Sequence, residues 1–506
     1  MAKPSKLISA LHANWFLNAA GLLLSYGASV VLVRSMAREL YAEYAAVIAI
    51  IGVATLVFEA GANSGLTRYL AEAGRQQARG TFYNRMQRRR WLAAAACSLV
   101  LIALGPLYAR SAQFASLAGK PWIFVLIAGV VTGTLTRLLA HYGLLALFEA
   151  KTALLLQQGF LVCRAVLLAA IALAGGGLWA LIGALLAGTV IEAIVVQHRL
   201  WRIIGAERAP LPDGFINRAQ GFGLLTIFDK ACAMLGSGTV LLLVLAPQQS
   251  ATHIALLGLA VDLVGKLVSF TVMPMGNLVA PYLSQTSDDP EAQGLAAARV
   301  AKLSSLLYSF SIGAGVLLLP WFVSVVYGAD YSGASLFALV LLLPTAFENW
   351  IRGCCSPVLL RNGRYRELMR VNVLQAAATL ATLTLVHRQP VEIAILAVGA
   401  VRSIVAALNL VQFGRLVPRG TFRVPLEGAA IAALGWAIAY VWGPLLPLPA
   451  AARAAVQGLV FALIFYAGMR WLVFRDADTL RLAHRVAGHR LKLLGRLLPS
   501  PPLSNA

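Results

Sequence analysis

Apolar runs of about 20 residues recur along almost the whole of this chain, and that is the length an α-helix needs to cross the hydrocarbon core of a bilayer. Read between charged or Pro/Gly-rich breaks, the runs fall near residues 14–33, 42–62, 91–109, 121–148, 152–174 and 177–197. A polar stretch from His198 to Arg218 follows, then runs near 221–246, 251–282, 300–327, 334–360, 367–386 and 391–413, and a final two near 424–446 and 454–474. In lipid each segment has to satisfy its own backbone polar groups, so the expected fold class is an all-α polytopic membrane protein of about 14 transmembrane helices. Composition points the same way. The 506 residues are 59% hydrophobic and 12% charged, with a mean hydropathy of +0.77, far from the quarter-charged profile of soluble domains.

The formal charge of +22 raises nucleic acid as a partner, but the Lys and Arg residues sit in short clusters between apolar runs, which is where the positive-inside bias puts them. No nucleic acid is therefore expected. With a cytoplasmic N-terminus the inside segments hold Arg75, Arg79, Arg85, Arg88 to Arg90, Arg199, Arg202, Arg208, Arg361, Arg364, Arg366, Arg370, Arg415, Arg419 and Arg423. The outside loops hold Arg34, Arg38, Arg110, Lys120, Arg388 and Arg453, roughly 6 cations against about 30 inside when both tails are counted. A missed or invented helix would invert that bias downstream, and none is seen, so the span count is even and both termini are expected in the cytoplasm of a bacterial inner (plasma) membrane. Met1 to Ala13 is short and polar, and the run from Trp15 to Val33 reads as a retained first helix rather than a cleaved signal.

The second block of six runs repeats the first in number and loop pattern. The expected organisation is an N-terminal six-helix lobe (1–200), a cytoplasmic linker (201–220), a C-terminal six-helix lobe (221–415), two additional transmembrane helices (416–474) and a basic amphipathic cytoplasmic tail (475–506). In the tail, Leu480, Ala483, Ala487, Leu491, Leu494 and Leu498 recur at helical spacing beside Arg481, Arg485, His489, Lys492 and Arg496, a pattern suited to an anionic membrane surface. Gly236 and Gly238 in the seventh run, and Met273-Pro274 and Pro281 in the eighth, are expected to bend those helices.

A charge at the bilayer centre costs on the order of 3 kcal/mol even on the lenient insertion scale, so ionisable groups within the runs are functional candidates. The cations are Arg137, Arg164, Lys230, Lys266, Arg352 and Arg402, read as candidate substrate-binding residues. The acids Glu59, Asp229, Asp262 and Glu348 are candidates for binding a coupling proton or sodium ion. Asp262 and Lys266 are four residues apart on one helical face, as are Glu348 and Arg352, so each pair can also simply neutralise itself. Arg137, Arg164 and Arg402 have no acid three or four residues away and need a partner from another helix, a backbone carbonyl or an anionic substrate; guanidinium suits phosphate and carboxylate. Glu192 falls near the end of its run and reads as a residue snorkelling to the interface.

Catalytic and metal-binding patterns are absent: no His-Glu-x-x-His, no phosphate-binding Gly-x-x-x-x-Gly-Lys loop and no nucleophile elbow. Cys97, Cys163, Cys232, Cys354 and Cys355 lie in apolar runs without metal-type spacing and read as small buried hydrophobes. No enzymatic activity, cofactor or metal is expected.

Three stretches carry a family likeness: Phe58-Glu59-Ala-Gly-Ala-Asn-Ser-Gly-Leu-Thr-Arg68-Tyr69-Leu70, Val326-Tyr327-Gly328-Ala-Asp330-Tyr331, and Leu360-Arg-Asn-Gly-Arg364. In that order they resemble the polysaccharide transporter branch of the multidrug/oligosaccharidyl-lipid/polysaccharide (MOP) exporter superfamily, the Wzx-like flippases of O-antigen and exopolysaccharide units. The resemblance implies two pseudo-symmetric six-helix lobes around a cavity that opens to one side at a time, moving an undecaprenyl-diphosphate-linked oligosaccharide outward. It implies as partners the lipid-linked oligosaccharide, membrane lipids, and the glycosyltransferases and polymerase of the same pathway. Lipid II flippases of the superfamily also have two extra C-terminal helices, but they resemble a pattern with arginines in the first helix, and Asn14 to Val33 holds no charge. A MATE-type drug/cation antiporter is the second reading; a membrane glycosyltransferase or polysaccharide polymerase ranks below both, since Asp330 is nearly alone among acids outside.

Overall fold

The computed structural model describes residues 21, 23–59, 61–112, 114–147, 149–285, 290–361, 364–471 and 480. In chain order its α-helices are α1 (Leu23–Ser35), α2 (Arg38–Phe58), α3 (Ala62–Arg75), α4 (Arg79–Ser111), α5 (Ala115–Gly119), α6 (Ile123–Ala146), α7 (Ala150–Leu173), α8 (Leu178–Ile204), α9 (Phe215–Met234) and α10 (Gly238–Leu245). They continue with α11 (Ala251–Gln285), α12 (Pro290–Phe322), α13 (Ala334–Arg361), α14 (Tyr365–Val386), α15 (Val391–Gly414), α16 (Arg423–Trp442) and α17 (Ala450–Trp471). The chain is a multi-pass, all-helical membrane protein.

Among the described residues 12 helices are long and apolar enough to cross a membrane. Two expected spans account for the difference from about 14. The first is only partly described, residues 14–20 and 22 lying outside the described residues, which leaves the short α1; the seventh is split into α9 and α10, where Gly236 and Gly238 suggest a bend. Ser237 restarts the helix at the split, its Oγ accepting the Val240 N–H at 3.4 Å, as an N-cap does. The backbone of α11, by contrast, continues through Pro274 and Pro281 to Gln285. The amphipathic tail lies outside the described residues apart from Leu480.

Hydropathy also underestimates several helices, because it measures the apolar length and not the helical one. Arg79 to Arg90, read as part of an inside segment, forms the opening turns of the 33-residue α4. The stretch before it forms the separate helix α3. Helix α8 runs past His198 and Arg199 to Ile204, which moves Glu192 from a helix end to mid-helix.

The chain divides into two compact units, Met1–Leu259 with Leu380–Ala394, and Ala260–Thr379 with Ile395–Ala506. In the first, α6 lies along α8, and small residues permit the approach: a Cβ on Gly129 would come within 2.9 Å of Leu186, and one on Gly133 within 3.0 Å of Thr189. Helix α3 meets α9 backbone to backbone. Gly61, at a φ of 67°, leaves no room for a side chain, since a Cβ would meet the Gly223 carbonyl. Leu66, Leu70, Phe82, Tyr83 and Met86 from α3 and α4 bury with Leu200, Ile204 and Phe215 in one core. Helix α7 is the outer member: none of its most apolar window is buried, as expected of a lipid-facing helix.

In the second unit α12 is central. One side packs on α13, with Trp350, Ile351 and Cys354 buried against Ala297, Ala301 and Tyr308. The other receives the α16–α17 hairpin, whose Phe461 ring covers Gly313 and Gly435 and stacks beside Phe465 at a centroid distance of 6.0 Å. The last two apolar runs are thus integral to this unit's core, which holds Leu306, Ile431, Phe461 and Phe465 together.

Candidate functional site

Among the described residues, each unit holds one cluster in which several cations converge on a buried acid. In the first, Arg137 and His141 stand one helical turn apart on α6 and so share a face; both reach Glu192 on α8. Arg137 Nη1 donates to the two carboxylate oxygens at 2.9 and 3.0 Å, and His141 Nε2 lies 3.0 Å from Oε1. Arg164 enters from α7 with Nη2 3.3 Å from Oε2, while its Nη1 donates to Thr189 Oγ1 at 3.4 Å. A glycine makes the path: a Cβ at Gly188 would fall 2.6 Å from Arg164 Cγ. Glu192 is fully buried, so its reading as a snorkelling residue is corrected. It is the hub of three helices, positioned there because α8 extends beyond the apolar run.

Arg137 and Arg164, which lack an acid on their own helices, thus share a single carboxylate. Two donors or acceptors of this cluster, Arg137 Nε and His141 Nδ1, are buried without a hydrogen-bond partner. Sequence reasoning passed over His141, Thr189 and Gly188. The i to i+4 spacing from Arg137 was a signal for His141; nothing in the sequence singled out the other two.

The second cluster centres on Glu348 of α13. Arg352, one turn on, donates through Nε to Oε1 at 2.9 Å. Gln375 of α14 donates to the same oxygen at 3.0 Å and accepts from Arg352 Nη2 at 3.1 Å. Arg402 of α15 pairs with Oε2. Glu348, Gln375 and Arg402 are all buried. The intrahelical Glu348–Arg352 pair is as the spacing suggested, and Arg402 finds its acid here; Gln375, uncharged, carried no sequence signal.

The remaining candidates pair locally. Lys266 Nζ lies 2.6 Å from Asp262 on α11, whose side chain is 36% exposed. Lys230 of α9 reaches Glu59, at the end of α2, at 3.4 Å. Asp229 lies on α9 with its side chain outside the described residues. Glu59 is buried and helps line a cavity of about 40 Å³ with Arg89, Arg90 and Gln220. The buried Arg90 donates to Asn63 Oδ1 at 2.5 Å. Among the described residues no group of His, Cys, Asp and Glu is arranged to hold a metal ion. The cysteines are free, and Cys163 is exposed on the outer helix α7 rather than buried.

No protein-family model and no curated protein matches the chain. Solved structures do. The lipid II flippase MurJ, in an inward closed conformation, superposes with a TM-score of 0.73 at 12% identity, covering 93% of this chain and 99% of that one. A multidrug resistance MATE family transporter of the MOP superfamily, inward-facing, gives 0.60 at 10% identity, covering 79% and 98%. A Vibrio cholerae MATE transporter gives 0.54 at 14% identity, covering 81% and 97%. At such identities the likeness speaks to fold, and the conclusion is that this chain has the all-helical membrane fold of the MOP-type transporters.

Proposed function

We propose that the protein is a flippase that moves an undecaprenyl-diphosphate-linked oligosaccharide, an O-antigen or exopolysaccharide repeat unit, across the bacterial inner membrane by alternating access, with both termini in the cytoplasm. The observation that carries this reading is the composition of the Glu192 cluster. Two guanidiniums, Arg137 and Arg164, share one carboxylate at membrane depth, leaving a surplus positive charge, and further buried polar atoms on Arg137 and His141 lack a partner. Uncompensated charge in a low-dielectric site is costly, and an arriving diphosphate or acidic sugar offsets that cost. A cationic drug would add to it, which favours the flippase over the MATE-type antiporter. The Glu348 cluster offers two more guanidiniums, and Lys230 and Lys266 complete the set of candidate contacts. The fold shared with a lipid II flippase supports the same class of substrate.

Of the four candidate coupling acids, Glu348 is held by Arg352, Arg402 and Gln375, whereas Glu59 makes one salt bridge among the described residues, to Lys230 at 3.4 Å, and lines a cavity beside Arg89 and Arg90. Glu59 is therefore the proposed coupling site, with Asp229 and Asp262 as the other candidates. Glycosyltransferases and a polymerase of the same pathway are its proposed partners.

The test is translocation in proteoliposomes by Arg164→Gln. This substitution leaves Glu192 with Arg137 and His141, so folding should survive. Flipping of a polyprenyl-diphosphate-linked oligosaccharide should fall at least tenfold while the thermal unfolding midpoint stays within a few degrees. Wild-type flipping by this variant would remove the cluster from the substrate path.

A further inference from the structure

A second basic feature lies outside both clusters, at the polar end of the first unit. The opening turns of α4 have one buried face, Phe82, Tyr83, Met86 and Arg90, and one exposed face bearing Arg85, Arg88 and Arg89. The spacing i, i+3, i+4 places these three guanidiniums on one side of the helix. With Leu92 they form one wall of a cleft of about 350 Å³, whose other wall is the start of α9, including Asp213 and Asn217. Among the described residues, none of the three arginines makes a hydrogen bond or ion pair.

The facing wall is itself suited to an anion. Gly214, at a φ of 75°, turns the chain into the 20-residue α9 without a side-chain cap; the Phe215 N–H is taken by the Pro212 carbonyl at 3.2 Å, while Gly214, Ile216 and Asn217 line the cleft and bring the positive end of the helix dipole to it. Asp213 offsets one of the three positive charges and leaves two. Behind the cleft, Arg89 also lines the small cavity into which Arg90 turns, and Arg90 is only 2% exposed, its Nη2 donating to Asn63 while its Nε and Nη1 have no hydrogen-bond partner. Arg89 thus lines both cavities, the smaller of which also contains the acid Glu59.

Depth decides what kind of anion this is. Immediately beyond the arginines on α4 come the exposed Trp91 and Leu92, then exposed Leu99, Val100, Ile102, Leu104 and Leu107, the lipid-facing surface of the span. The cleft therefore sits where headgroups meet hydrocarbon, with an aromatic and an aliphatic residue at its lower edge, as interfacial anchors are placed. We infer that the cleft holds a lipid-borne phosphate, its anionic group on Arg85, Arg88, Arg89 and the α9 N-terminus, and its hydrocarbon chain running down past Leu92. This goes beyond the flippase reading, since the site stands apart from the Glu192 and Glu348 clusters and serves either a bilayer phospholipid or the diphosphate carrier.

The experiment is native mass spectrometry of the full chain in detergent, titrated separately with phosphatidylglycerol, farnesyl diphosphate, phosphatidylcholine and inorganic diphosphate. Two charge-matched triple variants are compared with wild type: Arg85→Gln/Arg88→Gln/Arg89→Gln in the cleft, and Arg75→Gln/Arg199→Gln/Arg202→Gln, all exposed positions outside it. The expected result is a loss of at least tenfold in apparent affinity for the anionic lipids in the cleft variant and less than threefold in the other. Stronger retention of farnesyl diphosphate than of phosphatidylglycerol assigns the site to the carrier; equal retention assigns it to bilayer lipid. Equal losses in both variants, no loss in the cleft variant, or inorganic diphosphate binding as tightly as the lipids each overturns the proposal. Because both variants leave Arg137, Arg164 and Glu192 in place, failure here says nothing against the flippase reading, and failure of that reading leaves this binding test intact.

Discussion

The two acid-centred clusters are built from corresponding trios of consecutive helices, α6–α7–α8 and α13–α14–α15, yet their charges run in opposite order. In the first trio the arginines stand on the first two helices and the acid on the third. In the second the acid stands on the first helix, an amide on the middle one and an arginine on the third. The second cluster also contains its own intrahelical pair, Glu348 with Arg352, so part of its charge is balanced before any helices meet. The first has no such internal balance: Glu192 acquires partners only when α6 and α7 dock on α8. The same helical frame therefore accepts either polarity, and the cost of losing the acid depends on how many cations are stranded with no local alternative.

That contrast predicts its largest effect for Glu192→Gln, which strands Arg137 and Arg164 on separate helices. A loss of about 3–5 kcal/mol is expected, seen as a collapse in folded yield or a large drop in the unfolding midpoint in detergent. Glu348→Gln should cost roughly half as much, since Arg352 keeps the Gln375 carbonyl as an acceptor; equal losses would break the distinction. Exchanging charges in the first trio, Arg137→Glu with Glu192→Arg, imitates the order of the second, and should recover at least half of what either single change loses. No recovery would mean that the frame does not tolerate both polarities.

Smaller effects sharpen the picture. Gly188→Ala puts a methyl group in the path of the Arg164 stem and should cost about 1–2 kcal/mol while impairing transport more than its stability loss explains, because it moves the guanidinium from Thr189 and Glu192. Asp262→Asn, at an intrahelical pair that is 36% exposed on the aspartate and 12% on the lysine, should change stability by about 1 kcal/mol or less. A large effect there would give that pair a role that its local contacts do not.

The sequence made the helices and their charges legible, but not the pairings. The run lengths marked the spans, and the four-residue spacings of Asp262–Lys266 and Glu348–Arg352 gave contacts that the structure contains, because interactions within one helix follow from its period alone. Contacts between helices depend on where each helix ends and which faces dock. Glu192 was misplaced for the first reason: a hydropathy window stops at Gln197, while the helix itself continues through His198 and Arg199 to Ile204. Arg137, 55 positions away, could then not be assigned to it. The amphipathic turns from Phe82 to Arg90 were hidden similarly, since their charge density reads as a loop when only apolar length is scored.

The central claim, that surplus guanidinium at membrane depth serves a diphosphate-linked substrate, is tested most directly by offering the purified protein two substrates in the same proteoliposomes. One is a fluorescent polyprenyl-diphosphate-linked oligosaccharide, the other a cationic dye typical of multidrug exporters, with a proton gradient imposed. The account predicts translocation of the lipid-linked oligosaccharide, loss of that activity on collapsing the gradient, and no movement of the dye above protein-free vesicles. Dye movement without lipid translocation would contradict it and make the protein a drug/cation antiporter.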